Sequence, residues 1–93
     1  MSLEFEWDDE KARSNVKKHR VSFEEAETAF TDPMALTMFD DEHSVDEDRF
    51  VLIGESERRR LLVVSYTERG DRFRIISARV ANRHEKKQYE EAE

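Results

Sequence analysis

The sequence predicts an α+β domain: an antiparallel sheet of four to five strands, two N-terminal helices packed on it, and a C-terminal helix. Three observations carry that expectation. Helix-start signals stand at Asp8 and again at Ser22. From Met34 the apolar residues recur with a period near two, as in strands. The runs with that period are separated by short turns, which join neighbouring strands antiparallel.

Taken in order, Glu4-Phe5-Glu6-Trp7 alternates polar and apolar and reads as a short strand. Asp8 then caps a helix that runs to about His19. Asp9 and Glu10 lie in its first turn, and Lys17, Lys18 and His19 in its last, where the helix dipole favours each sign of charge. Ala12, Asn15, Val16 and His19 share its inward face at helical spacing. Ser22-Phe23-Glu24-Glu25 has the form of a capping box, in which the Ser22 hydroxyl and the Glu25 carboxylate satisfy free amides reciprocally. The second helix starts there, turns Phe23, Ala26 and Phe30 inward, and stops at Asp32-Pro33.

Met34 to Met38 reads as a strand, and Phe39 to Asp48 as an acidic loop. Arg49 to Gly54 is the next strand and Glu55 to Arg59 a turn. Arg60 to Thr67 is the most apolar strand and is therefore placed centrally. Gly70 supplies a positive φ in the turn Arg69-Gly70-Asp71. Arg72 to Ala78 puts Arg72 and Arg74 on one face and Phe73 and Ile75 on the other. The remainder, to about Glu91, is helical. Between 80 and 92 only Val80, Ala81, Tyr89 and Ala92 are apolar, so this helix either frays, bridges to a partner or packs through a single anchor such as Tyr89. Without repeat or linker, residues 1–93 form one domain.

The 93 residues are 37% hydrophobic and 42% charged, close to the lower limit for burying a core. The net charge of −7, taken whole, argues against a nucleic-acid partner. The charge is unevenly spread, however. Residues 1–48 carry five basic and fifteen acidic side chains, a charge of −10, whereas residues 49–87 carry eleven basic and five acidic ones, a charge of +6. Such a dipolar chain presents a surface suited to a polyanion or an acidic partner. Zero cysteines exclude a disulfide framework, thiolate zinc and a cysteine nucleophile. No apolar run approaches the ~20 residues of a membrane span. With no apolar stretch after the N-terminus either, the expectation is a cytoplasmic chain. The pattern begins at Glu4, and Met1-Ser2-Leu3 reads as partly a cloning remnant.

Several side chains can carry chemistry. His19, at the edge of the buried stripe, either balances the helix dipole or serves as a general base or acid at neutral pH. Arg72 and Arg74 present guanidinium forks that fit phosphate oxygens, or else pair with Glu55, Glu57 or Glu68 on neighbouring strands. Arg79, Arg83, Lys86 and Lys87 make a basic stripe at helical spacing, with Arg79 at the strand-to-helix junction. Glu68 and Arg69 stand together at the tip of the central hairpin, where a carboxylate beside arginines is a proton acceptor or a plain ion-pair partner. His19, His43 and His84 have no ligand spacing, and Asp40-Asp41-Glu42-His43 lacks the glycine of a calcium loop, so no metal or other cofactor is expected.

Read together, Phe5-Glu6-Trp7-Asp8, Lys11, Asn15, Lys18-His19, Val21 to Ala26, Asp32-Pro33, Arg49-Phe50 with Ile53-Gly54, Tyr66 to Gly70 and Arg74 to Arg79 resemble the BrnT toxin family in order and spacing. Glu85 and Tyr89 match its C-terminal pattern, so the resemblance runs from about Glu4 to Glu90. It implies a bacterial type II toxin with a RelE-like fold: a ribonuclease that arrests translation and is neutralised by a DNA-binding BrnA-type antitoxin. The complex, which touches DNA through the antitoxin, represses its own operon, and a hetero-oligomer or homodimer is expected. Two departures stand out. Lys18-His19-Arg20 replaces the family's usual Lys-His-Gly, which alters the helix end beside His19. Arg58-Arg59-Arg60 stands where relatives often place a glycine before the arginine.

On that footing Arg74 and Arg79 are expected to neutralise phosphate charge, with Glu68 or His19 as base or acid. Lys11, Lys18, Arg69, Arg72 and Arg83 are expected to bind RNA, and Tyr89 to stack a base. Trp7 reads as core rather than as a stacking platform. The competing readings are an inactive module of a repressor complex and an RNA-binding protein without cleavage.

Overall fold

The computed structural model describes residues 3–92. The reading of Met1 and Ser2 as a cloning remnant lies outside the described residues. The elements are β1 (Glu4–Glu6), α1 (Asp9–His19), α2 (Phe23–Ala29), β2 (Leu36–Phe39), β3 (Arg49–Glu55), β4 (Leu61–Arg69), β5 (Arg72–Val80) and α3 (Arg83–Glu91). They build one five-stranded sheet in the order β1-β5-β4-β3-β2. The apolar β4 is its central strand, and β2 to β5 form the expected antiparallel meander.

The wholly antiparallel expectation is corrected at one edge. β1 runs parallel to β5, with Glu4 opposite Arg72 and Glu6 opposite Arg74. The chain leaves β1 through two helices rather than a hairpin, so no tight turn imposes an antiparallel neighbour.

The Asp8 carboxylate caps α1 by accepting from the amides of Glu10 (2.9 Å) and Lys11 (3.1 Å). The inward face of α1 is narrower than the spacing suggested. Val16 is 43% exposed, whereas Asn15 is 5% exposed and supplies the anchor. Its Oδ1 accepts from the Ala78 amide at 3.1 Å. Its Nδ2 donates to the carbonyls of Ala78 (2.8 Å) and Val21 (2.9 Å). β1 pairs only with residues 72–74 of β5, so at Ala78 the Asn15 amide stands where an edge strand would otherwise pair.

Ser22 caps α2 through the Glu25 amide at 3.0 Å. The reciprocal half of that box does not form. The buried Glu25 carboxylate turns instead to the Arg60 guanidinium and to the Ser56 hydroxyl (2.7 Å), tying α2 to the β3–β4 turn. A charge-assisted bond to a guanidinium outweighs one to a neutral amide. The complete capping box lies at α3, between Asn82 and Glu85.

The core lies between α1, α2 and one sheet face. Val21, Phe23 and Ala26 pack on Leu62, Val64, Ile75 and Ala78. Trp7 meets Phe23 edge-on with ring centroids 5.8 Å apart, as expected of a core residue. A second cluster joins Tyr66, Phe30, Phe50 and Phe73. Gly54 is required by packing, because a Cβ there would lie 2.7 Å from the Ala29 carbonyl oxygen of α2.

Candidate nucleic-acid interface

Alternation along the strands turns Phe5, Phe73, Ile75, Val64 and Tyr66 toward the helices and the intervening residues to the opposite face. On that opposite face the register aligns Glu6, Arg74, Thr67 and Arg49 in one row across four strands, and Glu4, Arg72 and Arg69 in the next.

Arg79 joins the same face, although the sequence reading placed it on a helical stripe with Arg83. β5 continues to Val80, so Arg79 is a strand residue. Five residues separate it from Arg74, an odd interval that in a regular strand sends the two to opposite faces. The register shifts between Ser65 and Tyr66, whose partners are Ser77 and Ile75, leaving Ile76 as the extra residue of a bulge. The bulge restores Arg79 to the side of Arg74, and Ser77 lies between them.

Four of these arginines are held by carboxylates. Arg74 Nη1 donates to Glu6 at 2.9 Å. Arg72 lies 3.9 Å from both Glu4 and Glu6, and Arg69 is 3.6 Å from Glu47. Arg79 makes a bidentate pair with Glu85, both bonds 2.7 Å long. That pair raises the Arg79 pKa and lowers that of Glu85 despite its burial. Among the described residues, Arg49 Nε–H is buried without a partner.

Lys11, Ser14, Asn15, Lys18 and His19 of α1 line a cleft of about 170 Å³ with Ile76 and Ser77 of the bulge. The arrangement follows from helix geometry. Asn15 is pinned to Ala78, and Lys11, Lys18 and His19 lie four before, three after and four after it, on one face of α1. The cleft therefore brings His19 and two lysines to the edge of the arginine face at Ser77.

The other expected site residues lie apart from this cleft. Glu68 is opposite Phe73, on the side of the sheet that carries Tyr66, and so is not brought together with Arg72, Arg74 and Arg79. Arg83 is an exposed residue in the first turn of α3. The Tyr89 hydroxyl donates to Asp32 at 2.5 Å, which raises its pKa to about 12 and fastens α3 to the loop before β2. Tyr89 is thus the anchor of the last helix, the role its isolation in a polar segment suggested. Sequence reasoning passed over Ser77, Arg49 and the carboxylates Glu6 and Glu85 as site residues. The i, i+3 pair Asn82/Glu85 was the available signal for Glu85, since Asn and Glu at that spacing start helices. Among the described residues, no group of three or more His, Asp or Glu is placed to hold a metal ion. No helix among them is long and apolar enough to cross a membrane.

Comparison with solved structures finds the ribonuclease toxin BrnT of Brucella abortus, whose crystal structure superposes with a TM-score of 0.69 at 24% identity. The match covers 88% of this chain and 100% of that one and establishes a common fold. Comparison with curated proteins returned no match. Residues 7–85 match the family model described as "Ribonuclease toxin, BrnT, of type II toxin-antitoxin system". That span holds the α1 cleft, the bulged strand and Glu85, and the chain belongs to the BrnT toxin family.

Proposed function

We propose that this toxin cleaves RNA without a metal, by attack of a ribose 2′-hydroxyl on the adjacent phosphate. The 2′-oxygen bonds to phosphorus, the bond from phosphorus to the 5′-oxygen breaks, and a cyclic 2′,3′-phosphate and a free 5′-hydroxyl result. A base takes the 2′ proton, an acid gives one to the 5′-oxygen, and cationic donors stabilise the pentavalent charge. The single observation that carries this reading is the bulge at Ile76, which sets Arg74 and Arg79 on one face with Ser77, a lining residue of the His19 cleft, between them.

In this assignment Arg74 and Arg79 bind the scissile phosphate and His19 moves the proton. Glu68, on the other side of the sheet, is left out of the acid–base pair. Lys11 and Lys18 bind one flanking phosphate, and Arg69 and Arg72 the other. The chain acts in the cytoplasm, arrests translation, and is neutralised by a BrnA-type antitoxin with which it represses its own operon.

The test is incubation of antitoxin-free protein with RNA in excess chelator. Cleavage that persists there and falls in His19→Ala and Arg79→Ala supports the reading. Loss on chelation sinks the metal-free mechanism, and undiminished cleavage by either variant removes that residue from the chemistry. RNA binding without cleavage favours a binding protein. Growth arrest on expression, relieved by a co-expressed antitoxin, separates a toxin from an inert module of a repressor complex.

A further inference from the structure

Arg79 is held by its far end. Glu85 engages Nη1 and Nη2, one oxygen to each, across the end of the guanidinium fork. A guanidinium has five N–H donors, so this geometry leaves its side edge, Nε with the second Nη2 hydrogen, free for a second bidentate acceptor. Glu85 is itself immobilised. Its Oε1 accepts from the Asn82 amide at 2.9 Å, its own amide donates to Asn82 Oδ1 at 2.9 Å, and its side chain is 16% exposed. The far end of α3 is fastened separately by Tyr89 to Asp32, whose Oδ2 also accepts from the Glu55 amide at 2.8 Å.

We infer that Glu85 is a positioning residue for the RNA-cleavage reaction: it clamps Arg79 end-on so that the free side edge meets the scissile phosphate. This rests on the ribonuclease reading above. A long arginine at a sheet margin otherwise samples many rotamers, and holding a donor in its productive geometry raises the rate of the chemical step more than it raises ground-state binding. The capping box that starts α3 is thus part of the phosphate site, and the docking of α3 sets the aim of Arg79. Arg74 differs in that Glu6 holds it by Nη1 alone.

The experiment compares wild type, Glu85→Gln, Glu85→Ala, Glu85→Asp, Arg79→Ala and the double variant Arg79→Ala/Glu85→Ala in single-turnover RNA cleavage. Glu85→Gln and Glu85→Ala are expected to cleave about tenfold or more slowly at saturating RNA, with RNA affinity within about threefold of wild type. Glu85→Asp recovers part of the rate, and the double variant is no slower than Arg79→Ala alone. Glu85→Gln keeps an acceptor for the Asn82 amide, and circular dichroism verifies that α3 is retained. A wild-type rate in Glu85→Gln, a faster rate in Glu85→Ala, or additive losses in the double variant overturn the inference. The Arg79 Nε–H signal in NMR gives a readout independent of turnover. It is expected to be sharp in wild type, broadened in Glu85→Ala, and shifted on binding a cleavage-resistant 2′-deoxy oligonucleotide; an unshifted signal overturns the inference. A wild-type protein that never cleaves RNA overturns the ribonuclease reading instead, and the NMR outcome then decides the clamp.

Discussion

Arg74 and Arg79 lie on the same face of β5 although five residues separate them, because Ile76 is the extra residue of a bulge. The same bulge places Ser77 between the two arginines, and Ile76 and Ser77 line a cleft with His19 of α1. Arg74→Ala and Arg79→Ala are expected to slow RNA cleavage by about 10²–10³-fold each, the cost of losing one preorganised donor to developing charge. Both variants are expected to keep the wild-type circular dichroism spectrum, since each arginine is partly exposed and pairs with a carboxylate that also reaches solvent.

Asn15 supports the site from beneath. Asn15→Ala leaves the amide and carbonyl of Ala78 and the carbonyl of Val21 without their side-chain partner. The expected cost is about 3 kcal/mol in urea unfolding, because each buried orphan costs about 1–3 kcal/mol and water can rescue some. Cleavage falls further than stability accounts for, since His19 and Lys18 lose their register on β5. Activity at wild-type level in a folded Asn15→Ala protein would exclude this positioning role.

Glu25 is expected to make the protein acid-sensitive. The Arg60 guanidinium, aided by the Ser56 hydroxyl, holds its carboxyl below the ordinary value of 4.5 against the opposing effect of burial. A carboxylate with a depressed folded pKa stabilises above its unfolded value, and that contribution is lost as pH falls through the folded one. Stability is therefore expected to decline below about pH 4.5, and Glu25→Gln to flatten that decline. Arg60→Ala at neutral pH is expected to cost about 3–5 kcal/mol by stranding a buried charge. Denaturant titrations at several pH values measure both effects.

Arg20 ends α1 at φ 58°, in the left-handed region where a side chain carries a steric cost. Arg20→Gly is expected to raise stability by about 1 kcal/mol. The interaction with Arg60 survives, because Arg60 donates to the Arg20 carbonyl at 3.0 Å rather than to its side chain. An unchanged or lower melting temperature would show that Arg20 contributes something the backbone does not.

Tyr89 ties α3 down through a neutral hydroxyl, with a pKa pushed up from 10.0 to about 12 by its bond to the Asp32 carboxylate. Its contribution is complete below pH 10 and is lost as pH rises toward 12, since only the protonated phenol donates. Tyr89→Phe is expected to increase protease cleavage within α3 already at neutral pH, and to remove one late-titrating phenol from the alkaline absorbance titration.

Much of the fold was legible because its signals are local. Asp8, Ser22 and the alternation from Met34 identify helices and strands within a few residues of themselves. The apolar run of β4 identifies the central strand, since a strand buried on both faces needs one. Within the site, His19 was readable on the inward face of α1 with Asn15, and Arg72 with Arg74 as one strand face.

The rest depended on contacts between distant segments. Whether Glu25 closes a capping box or pairs with Arg60 is a competition between a neighbour three residues away and a guanidinium brought in from the β3–β4 turn. The parallel pairing of β1 with β5, the partner choice of Glu6 and Glu85, and the side of the sheet taken by Glu68 are all matters of register between strands. The bulge at Ile76 is the sharpest case. Counting residues sends Arg74 and Arg79 to opposite faces, and one unpaired residue reverses that. The amino-acid order thus specifies which donors β5 carries. Which of them share a face follows from how β5 slips against β4, because side-chain direction in a sheet is set by pairing rather than by composition.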